Sequence, residues 1–375
     1  MRPASEVERR RLNEEFAGLC RIRSVSGEEA EIAARVTSDL RAIGVEVDEP
    51  DAAGNVLARI GPTRPRDLDR SVLLCAHLDT VPHQGLVEPA CEDGGWVSAG
   101  DTILGADNKA AVAVLLAVAR RAAIEGSPIG IELLFTVREE VALAGAKDFD
   151  IGRLASTFGY VFDHASPIGE IVMASPTYYR LEARFRGTAA HAGVRPEDGR
   201  SAIAAAARAI TAMRLGRIDE ETTANVGAVS GGFPGATNVV AEHATFLAEA
   251  RSLSEAKVEA LVAEMVDHVH DAANTPACEC DVDFMVERLF AGYRHKAEGA
   301  GVMAAEDALR DCGYEPTRIV TGGGSDANAL EAKGFPCTNL ANGTERNHQP
   351  DERVSVAALE GMLDVTFALL DRLAA

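Results

Sequence analysis

Apolar residues follow two different patterns along the chain, and the change between them divides the sequence into parts. Up to about residue 175, and again after residue 292, segments with helical apolar spacing alternate with short apolar runs typical of buried strands, such as residues 71–75 and 130–136. Helices between buried strands predict parallel strands joined by crossovers. These two parts are therefore expected to form an α/β domain with a mostly parallel sheet flanked by helices.

From about residue 176 to residue 292 the pattern is instead that of alternating strands with two helices, at residues 200–213 and 254–272. The order of four strands and two helices is that of a split βαβ sandwich, the ferredoxin-like α+β arrangement. Two of its strands are expected at residues 239–249 and 281–286. We therefore predict one domain made of residues 1–175 and 293–375, and a second domain, made of residues 176–292, inserted into it.

The most unusual segment is 102–118, in which Asp107 lies between a Gly-Ala turn and a helix candidate without a polar face. Every residue from 110 to 118 is Ala, Val or Leu, so this helix is expected to run through the interior and to bury its first turn. A lone buried acid needs a partner. Asp107 is either an N-cap for the helix or a ligand of a metal ion.

Other polar residues follow the predicted buried strands, where a parallel sheet forms its ligand crevice. His77 and Asp79 follow the first strand, Glu139 and Glu140 the second, Asp163 the third, and His348 lies in a later loop. Each has an ordinary alternative as a turn or surface residue. Together, however, two histidines and three carboxylates suit a pair of divalent cations, with zinc favoured and cobalt or manganese as alternatives. This set is His77, Asp107, Glu140, Asp163 and His348.

Composition limits the function classes. The chain has 375 residues, 47% of them hydrophobic and 25% charged, with a formal net charge of −21. Such a charge argues against nucleic-acid and anionic-membrane partners. No run approaches the roughly 18 apolar residues of a transmembrane helix, and no export signal is visible. The seven cysteines, an odd number, fit reduced thiols, so a cytoplasmic protein is expected.

Several ordered motifs carry a resemblance to a known family. They are HLDTVP, GADNKAA, the Glu139-Glu140 pair, AAHAGVRPEDGRSAI, GGFPGATNVV, AEARSL, TGGGSDAN and the late His348. In these motifs the chain resembles the M20 family of dinuclear zinc peptidases, most of all its peptidase T (tripeptidase)-like branch. The resemblance extends from about residue 24 to the C-terminus, and it departs from the family pattern at residues 349–351.

The resemblance implies a role for each matching position. One zinc ion would be held by His77, Asp107 and Asp163, and the other by Asp107, Glu140 and His348. Glu139 would be the general base, and Asp79 the partner that orients His77. The resemblance also implies a cis peptide bond between Asp107 and Asn108.

In the inserted domain, the resemblance implies that His191 stabilises the oxyanion, while Arg251 and Asn238 bind substrate, Arg251 through its carboxylate. From the residues alone, His191 would be a surface turn histidine and Arg251 an exposed charge. The Gly-rich loop at residues 321–326, which includes Gly323, is expected to form a wall of the substrate pocket. The resemblance further implies that residues 1–175 and 293–375 form the catalytic dinuclear-metal domain and residues 176–292 a lid domain. It also implies a homodimer through the lid domain, in which His191 can act on the neighbouring chain.

The predicted function is therefore that of a metal-dependent exopeptidase that hydrolyses short peptides, in which a metal-activated water attacks and a glutamate is the general base. The alternative within enzymes is an N-acyl-amino-acid deacylase or related amidohydrolase on the same scaffold. The alternative outside enzymes is a non-catalytic peptide-binding or metal-binding protein. Glu139 argues against the last, because metal storage needs ligands but no base.

Overall fold

The computed structural model describes residues 2–63 and 70–374. The chain divides into two compact units. Residues Met1–Ala174 and Arg294–Ala375 form the first, which we call the discontinuous unit, and residues Ser175–Tyr293 form the second, the inserted unit. In the described residues, no helix combines the length and the apolar character needed to cross a membrane.

Helices occur in both units. In chain order they are α1 (Glu6–Cys20), α2 (Ala30–Ala42), α3 (Ala106–Glu125), α4 (Ala144–Asp148), α5 (Ala202–Ala212), α6 (Glu255–Asn274), α7 (Ala300–Asp311), α8 (Asp326–Ala332) and α9 (Val356–Ala374). Helices α5 and α6 belong to the inserted unit. Local sequence explains several starts: Ser5 and Glu8 form a capping box at α1, and Ser325 and Asn328 form one at α8.

The strands are mostly short. In chain order they are β1 (Glu46–Val47), β2 (Val56–Ile60), β3 (Ser71–His77), β4 (Pro89–Glu92), β5 (Gly95–Ser98), β6 (Gly130–Thr136), β7 (Gly159–His164), β8 (Glu170–Ser175), β9 (Thr177–Arg186), β10 (Gly216–Arg217), β11 (Thr222–Gly231), β12 (His243–Ser252), β13 (Asp281–Phe290), β14 (Tyr293–Arg294), β15 (Thr317–Val320), β16 (Cys337–Ala341), β17 (Thr344–Glu345) and β18 (Arg353–Ser355).

The main sheet of the discontinuous unit has the strand order β1-β2-β6-β3-β7-β16-β8-β14, with β15 paired to β8. Its centre, β6-β3-β7-β16, is parallel throughout, whereas β2 pairs with β6 and β8 pairs with β16 in antiparallel fashion. The predicted fold class, a mostly parallel sheet flanked by helices, is confirmed. A second sheet, β17-β18-β5-β4, was not predicted, because its strands have two to four residues and little apolar alternation.

Helix α3 forms the centre of the hydrophobic core of the discontinuous unit. It packs against α1, α9 and β3, and its residues from Ala110 to Leu116 are at most 1% exposed. At its C-terminal end, Arg121 donates to Glu8 Oε1 at 2.7 Å, and its guanidinium carbon lies 3.4 Å from the centre of the Phe367 ring. The predicted interior helix is therefore present, with its one buried guanidinium paired and stacked.

The inserted unit contains one antiparallel sheet of order β10-β11-β12-β9-β13. Helices α5 and α6 pack against it around a core that includes Phe185, Phe246 and Met265. Without the two-residue β10, the order of the strands is that of the predicted ferredoxin-like sandwich. One predicted strand was placed too early: β12 begins at His243, because Val240 donates its N–H to Ala190 O instead of joining the sheet.

Gly145, in α4, is expected to be intolerant of substitution. A Cβ atom at this position would lie 2.0 Å from Val137 O and 2.7 Å from Asn55 Oδ1. Since a backbone carbonyl cannot move aside freely, Gly145→Ala should lower the free energy of unfolding by about 1–3 kcal/mol. Urea unfolding measures this change.

The matched control is Gly18→Ala in α1, where an added Cβ meets nothing within 4 Å. This variant should gain roughly 0.5–1 kcal/mol, because alanine loses less backbone entropy than glycine in a helix. Equal effects of the two substitutions would contradict the argument from the close approach to Val137.

Candidate metal centre and active site

The candidate site lies where the parallel strands of the main sheet end. His77 is the last residue of β3, and Asp163 is the next-to-last residue of β7. Glu139 and Glu140 lie in the turn after β6, and His348 lies in the loop between β17 and β18. Since the carboxyl ends of parallel strands meet at one edge of a sheet, elements far apart in sequence bring their polar side chains to the same place.

His77 is fully enclosed, with 1% of its surface exposed. Its Nδ1 lies 3.0 Å from the backbone oxygen of Asp79, which can only accept, so Nδ1 carries the proton. Its Nε2 lies 3.2 Å from Asp107 Oδ1 and 3.4 Å from Asp163 Oδ1. The imidazole therefore presents Nε2 to two carboxylates, as a metal ligand would.

Asp79 faces His77 through both its backbone and its carboxylate. Its backbone oxygen lies 3.0 Å and its Oδ1 3.5 Å from His77 Nδ1. The carboxylate also accepts from the backbone N–H groups of Glu139 at 2.9 Å and Glu140 at 3.1 Å, and from the hydroxyl of Ser26 at 2.6 Å. Asp79 thus holds the turn that carries the two glutamates.

The carboxylate of Asp107 lies between the two histidines. Oδ1 faces His77 Nε2 at 3.2 Å, while Oδ2 lies 3.4 Å from His348 Nε2 and accepts from Asn347 Nδ2 at 2.7 Å. The peptide bond from Asp107 to Asn108 is cis, as the family resemblance implied. Asp107 and Asn108 have non-helical backbone angles, so the regular part of α3 begins after them, and the carboxylate of Asp107 faces His77, His348 and Asn347.

The neighbouring glutamates, Glu139 and Glu140, serve different sides of the site. Glu140 Oε1 lies 2.9 Å from His348 Nε2. Among the described residues, two groups offer ligand atoms within 4.8 Å of one another, and the glutamates fall in different groups. One group is His77, Glu139 and Asp163, and the other is His77, Asp107 and Glu140.

The chemistry of these groups fits divalent cations. Imidazole nitrogens and carboxylate oxygens are borderline-hard ligands that suit zinc, cobalt or manganese. The structure brings all five predicted ligands into one cluster, while the groups defined by distance include Glu139, which the family resemblance assigned as a base. The assignment of each ligand to one of two ions remains a prediction.

The electrostatics of the site also favour cations. Burial, together with the charges of Asp107 and Asp326, raises the pKa of Asp163 to about 8 against the opposing influence of His77. Burial, followed by the charge of Asp163, raises the pKa of Glu139 well above its usual value. Protons therefore occupy a cluster in which carboxylates repel one another, and a divalent ion that replaces them relieves the same repulsion.

The histidines respond to the same charges in the opposite sense. Hydrogen bonds to Asp107 and Glu140 raise the pKa of His348 to about 10. Burial lowers the pKa of His77, but the charge of Asp163 and the hydrogen bonds to Asp107 and Asp163 outweigh it and raise the pKa well above the usual value. Binding of metal to these imidazoles must displace protons.

The predicted substrate residues Asn238, His191 and Arg251 belong to the inserted unit. His191 and Asn238 are neighbours there, since Ala192 donates its N–H to Asn238 O at 2.9 Å. Arg251 lies near the end of β12, where its Nη2 donates to Glu249 Oε2 at 3.0 Å and its guanidinium carbon lies 4.0 Å from the centre of the Tyr178 ring. Gly323 belongs to the discontinuous unit and donates its N–H to Thr321 Oγ1.

Sequence reasoning missed three residues next to the site. Asn347 donates to the carboxylate of Asp107, Glu352 accepts from the backbone at the start of α3, and Asp326 accepts from Thr136 Oγ1 at 2.5 Å. Burial raises the pKa of Asp326 to about 6. The only sequence signal for them was their position close to His348 or in the Gly-rich loop.

The chain is similar in sequence to known peptidase families and to a bacterial protein of similar length. A family profile described as peptidase dimerisation domain, M20_dimer, matches residues 177–275, and one described as peptidase family M28 matches residues 55–161. The uncharacterised protein YqjE of Bacillus subtilis (strain 168) is 36% identical over 98% of this chain and 100% of its own length.

Two solved structures are similar over almost the whole chain. The aminopeptidase PepT from Bacillus cereus ATCC 10987 has a TM-score of 0.87 and 37% identity, covering 98% of this chain and 99% of that one. A tripeptidase from Staphylococcus aureus subsp. aureus Mu50 has a TM-score of 0.91 and 32% identity, covering 98% of both chains.

The fold and the cluster of ligating side chains define the class of protein as a metal-dependent hydrolase. The M20_dimer match and the similarity to these aminopeptidase and tripeptidase structures over almost the full length define it further. The chain belongs to the M20 family of peptidases and is a hydrolase of peptide bonds. The family, fold class and enzyme class predicted from the sequence are confirmed.

Proposed function

We propose that the protein is a dinuclear, zinc-dependent exopeptidase that removes residues from short peptides in the manner of a tripeptide aminopeptidase. The observation that carries this proposal is the convergence of His77, Asp107, Glu140, Asp163 and His348 in a chain 37% identical to an aminopeptidase PepT. In this proposal the residues 1–175 and 293–375 form the catalytic domain.

His77, Asp107 and Asp163 would hold one ion, and Asp107, Glu140 and His348 the other. When bound, the two ions supply Lewis acidity that polarises the peptide carbonyl and lowers the pKa of a water molecule toward neutrality. Asp107 is the natural shared ligand, because its two oxygens face different histidines at 3.2 and 3.4 Å. Positive ions beside Glu139 would favour its carboxylate form, against the burial that now raises its pKa.

Glu139 then performs the proton transfers. As general base it takes a proton from the attacking water, and as general acid it returns that proton to the departing amine. Asp79 supports this role by accepting from the backbone N–H of Glu139, which fixes the turn on which the carboxylate is mounted. Enclosure of the Glu139 side chain, which is 8% exposed, keeps bulk water from competing for the proton.

Residues 176–292 are proposed to act as the lid and dimerisation domain, in line with the dimerisation profile that matches most of this segment. His191 would stabilise the oxyanion, and Asn238 and Arg251 would bind substrate, with Gly323 in the pocket wall. Glu249 and Tyr178 hold the guanidinium of Arg251 in one orientation, from which it can donate two hydrogen bonds to a substrate carboxylate. All seven cysteines are free thiols, which supports a cytoplasmic location.

The experiment that tests the proposal measures zinc content and turnover on a panel of substrates. Tripeptides with a free N-terminus should be cleaved, whereas N-acetylated amino acids should not. Preferred cleavage of N-acetylated amino acids would instead assign a deacylase, and two bound ions without any turnover would assign a binding protein. Size-exclusion chromatography with light scattering tests the homodimer.

Arg251→Ala is expected to raise KM for peptides with a free C-terminal carboxylate by about tenfold to a hundredfold, because a charge-assisted hydrogen bond contributes roughly 1.5–3 kcal/mol. Peptides with an amidated C-terminus should be affected little. The control is Arg180→Ala, since Arg180 lies on the neighbouring strand of the same sheet and pairs with Glu287 at 2.7 Å. Equal losses on free and amidated peptides would contradict the role of Arg251.

A further inference from the structure

Glu352 lies at the end of the loop that carries His348, and its carboxylate contacts the turn at the start of α3, residues 105–108. Its Oε2 accepts from the N–H of Gly105 at 2.7 Å, and its Oε1 accepts from the N–H of Asp107 at 2.8 Å. Only 1% of its surface is exposed. A carboxylate from a distant part of the chain thus accepts from two backbone N–H groups at the start of α3.

Two further residues, Gly105 and Lys109, restrict the same turn. Gly105 has a φ of 72°, in the left-handed region, and a Cβ there would lie 3.3 Å from Thr80 Cγ2. Lys109 is itself 1% exposed and donates to Ile22 O at 2.7 Å. The carboxylate of Glu352 is itself paired in the interior by the backbone N–H groups of Gly105 and Asp107.

A second residue of the same loop holds the side chain of Asp107. Asn347 Nδ2 donates to Asp107 Oδ2 at 2.7 Å, on the oxygen that also faces His348. The loop therefore binds Asp107 at two points. Asn347 donates to its carboxylate and Glu352 accepts from its backbone N–H, and His348 lies between these two residues in sequence. These bonds restrict both rotation of the carboxylate and movement of the turn.

We propose that Glu352, assisted by Asn347, is a positioning residue that fixes the carboxylate of Asp107 between the two metal positions and so couples the binding of the two ions. This inference rests on the proposed function only in that Asp107 is taken as the ligand shared by both ions. Glu352 binds a backbone turn of its own chain. The loop that carries His348 and the turn that carries Asp107 should therefore adopt their positions together.

The two variants that test the positioning role alter the acceptors separately. Glu352→Gln keeps the shape of the side chain but replaces one acceptor oxygen with an NH₂ group, which faces a backbone N–H and cannot bond to it. Asn347→Ala removes the hydrogen bond to the carboxylate of Asp107. Because Asn347 is partly exposed, this variant should perturb folding less than Glu352→Gln. The control is Asp351→Asn, which removes an exposed carboxylate of the same loop, one that pairs with Arg346 at 2.7 Å.

Zinc binding by the metal-free protein is measured by competition with a chromogenic chelator, and the cobalt-loaded protein is characterised by absorption spectroscopy. Glu352→Gln should weaken binding of at least one ion by about tenfold to a hundredfold, the range typical of residues that orient metal ligands. It should also change the cobalt spectrum and lower kcat on tripeptides with KM little changed. Asn347→Ala should shift the same quantities in the same direction, and Asp351→Asn should match the wild type.

A variant Glu352→Gln that melts at a lower temperature yet binds both ions with wild-type affinity and an unchanged cobalt spectrum would overturn the proposal, since Glu352 would then be merely structural. If Glu352→Gln does not fold, wild-type zinc affinity in Asn347→Ala would overturn it equally. Failure of the proposed function is distinguishable, because wild-type protein would then bind zinc without cleaving tripeptides while the effect on zinc affinity remained.

Discussion

Replacement of Glu139 by alanine is expected to leave two ions per chain and to lower kcat by roughly 10²–10⁴-fold, the contribution typical of a general base. The reason is that Glu139 is proposed to carry a proton and not an ion. Its side chain is enclosed, and its backbone N–H donates to Asp79 Oδ1 at 2.9 Å, which holds the residue in place. Metal analysis and steady-state kinetics on a tripeptide measure the two quantities.

The neighbouring residue provides the matched comparison. Glu140→Ala should lose an ion, because Glu140 Oε1 lies 2.9 Å from His348 Nε2 and belongs to the group with His77 and Asp107. The group of His77, Glu139 and Asp163 offers the rival assignment, in which Glu139 is itself a ligand. Loss of an ion from Glu139→Ala would favour that rival, and full activity of the variant would exclude both roles.

Asp107→Ala is expected to abolish tight binding of both ions at once, together with activity. In the wild type, zinc at a hundred times its dissociation constant should stabilise the fold by about 2.7 kcal/mol, because it binds the native state only. In Asp107→Ala this zinc-dependent rise in the melting temperature should disappear. Differential scanning fluorimetry with and without zinc, after treatment with a chelator, measures the effect.

The control for this variant is Asp101→Ala, in the exposed part of the loop that precedes the same turn. Its response to zinc should equal that of the wild type. An Asp107→Ala protein that still binds one ion with wild-type affinity would show that Asp107 serves a single ion and is not shared. That result would also remove the basis for coupling through Glu352.

The positions of the candidate ligands could be predicted because strong apolar runs mark the buried strands. The runs before His77 and Glu139 end at or close to the observed ends of β3 and β6, and the sheet topology then brings the polar residues at these strand ends together. The helix after Asp107 was equally clear, since nine consecutive apolar residues leave no solvated face. Local pattern and global fold agree at these elements.

The features that could not be predicted depend on contacts between distant parts of the chain. The bonds from Glu352 to the turn of Asp107 span 245 residues or more, and nothing in the local sequence of either segment signals the other. The pairing of Asp79 is a subtler case: the family resemblance implied that Asp79 orients His77, but not that its backbone oxygen lies closer to the imidazole than its carboxylate, or that the carboxylate also holds the next turn. Spacing predicts proximity and leaves the choice among acceptor atoms open.

The place of β16 in the main sheet has a consequence for the order in which the protein matures on the ribosome. β16 (Cys337–Ala341) lies between β7 and β8, although both of these strands are synthesised much earlier. The inserted unit is complete once Tyr293 has emerged, so it can acquire its native sheet while translation continues. The parallel sheet stays open until residues 337–341 arrive, and His348 comes after them. A ribosome-bound chain that stops before β16 should therefore have a folded inserted unit, while the main sheet lacks a central strand and the site lacks His348.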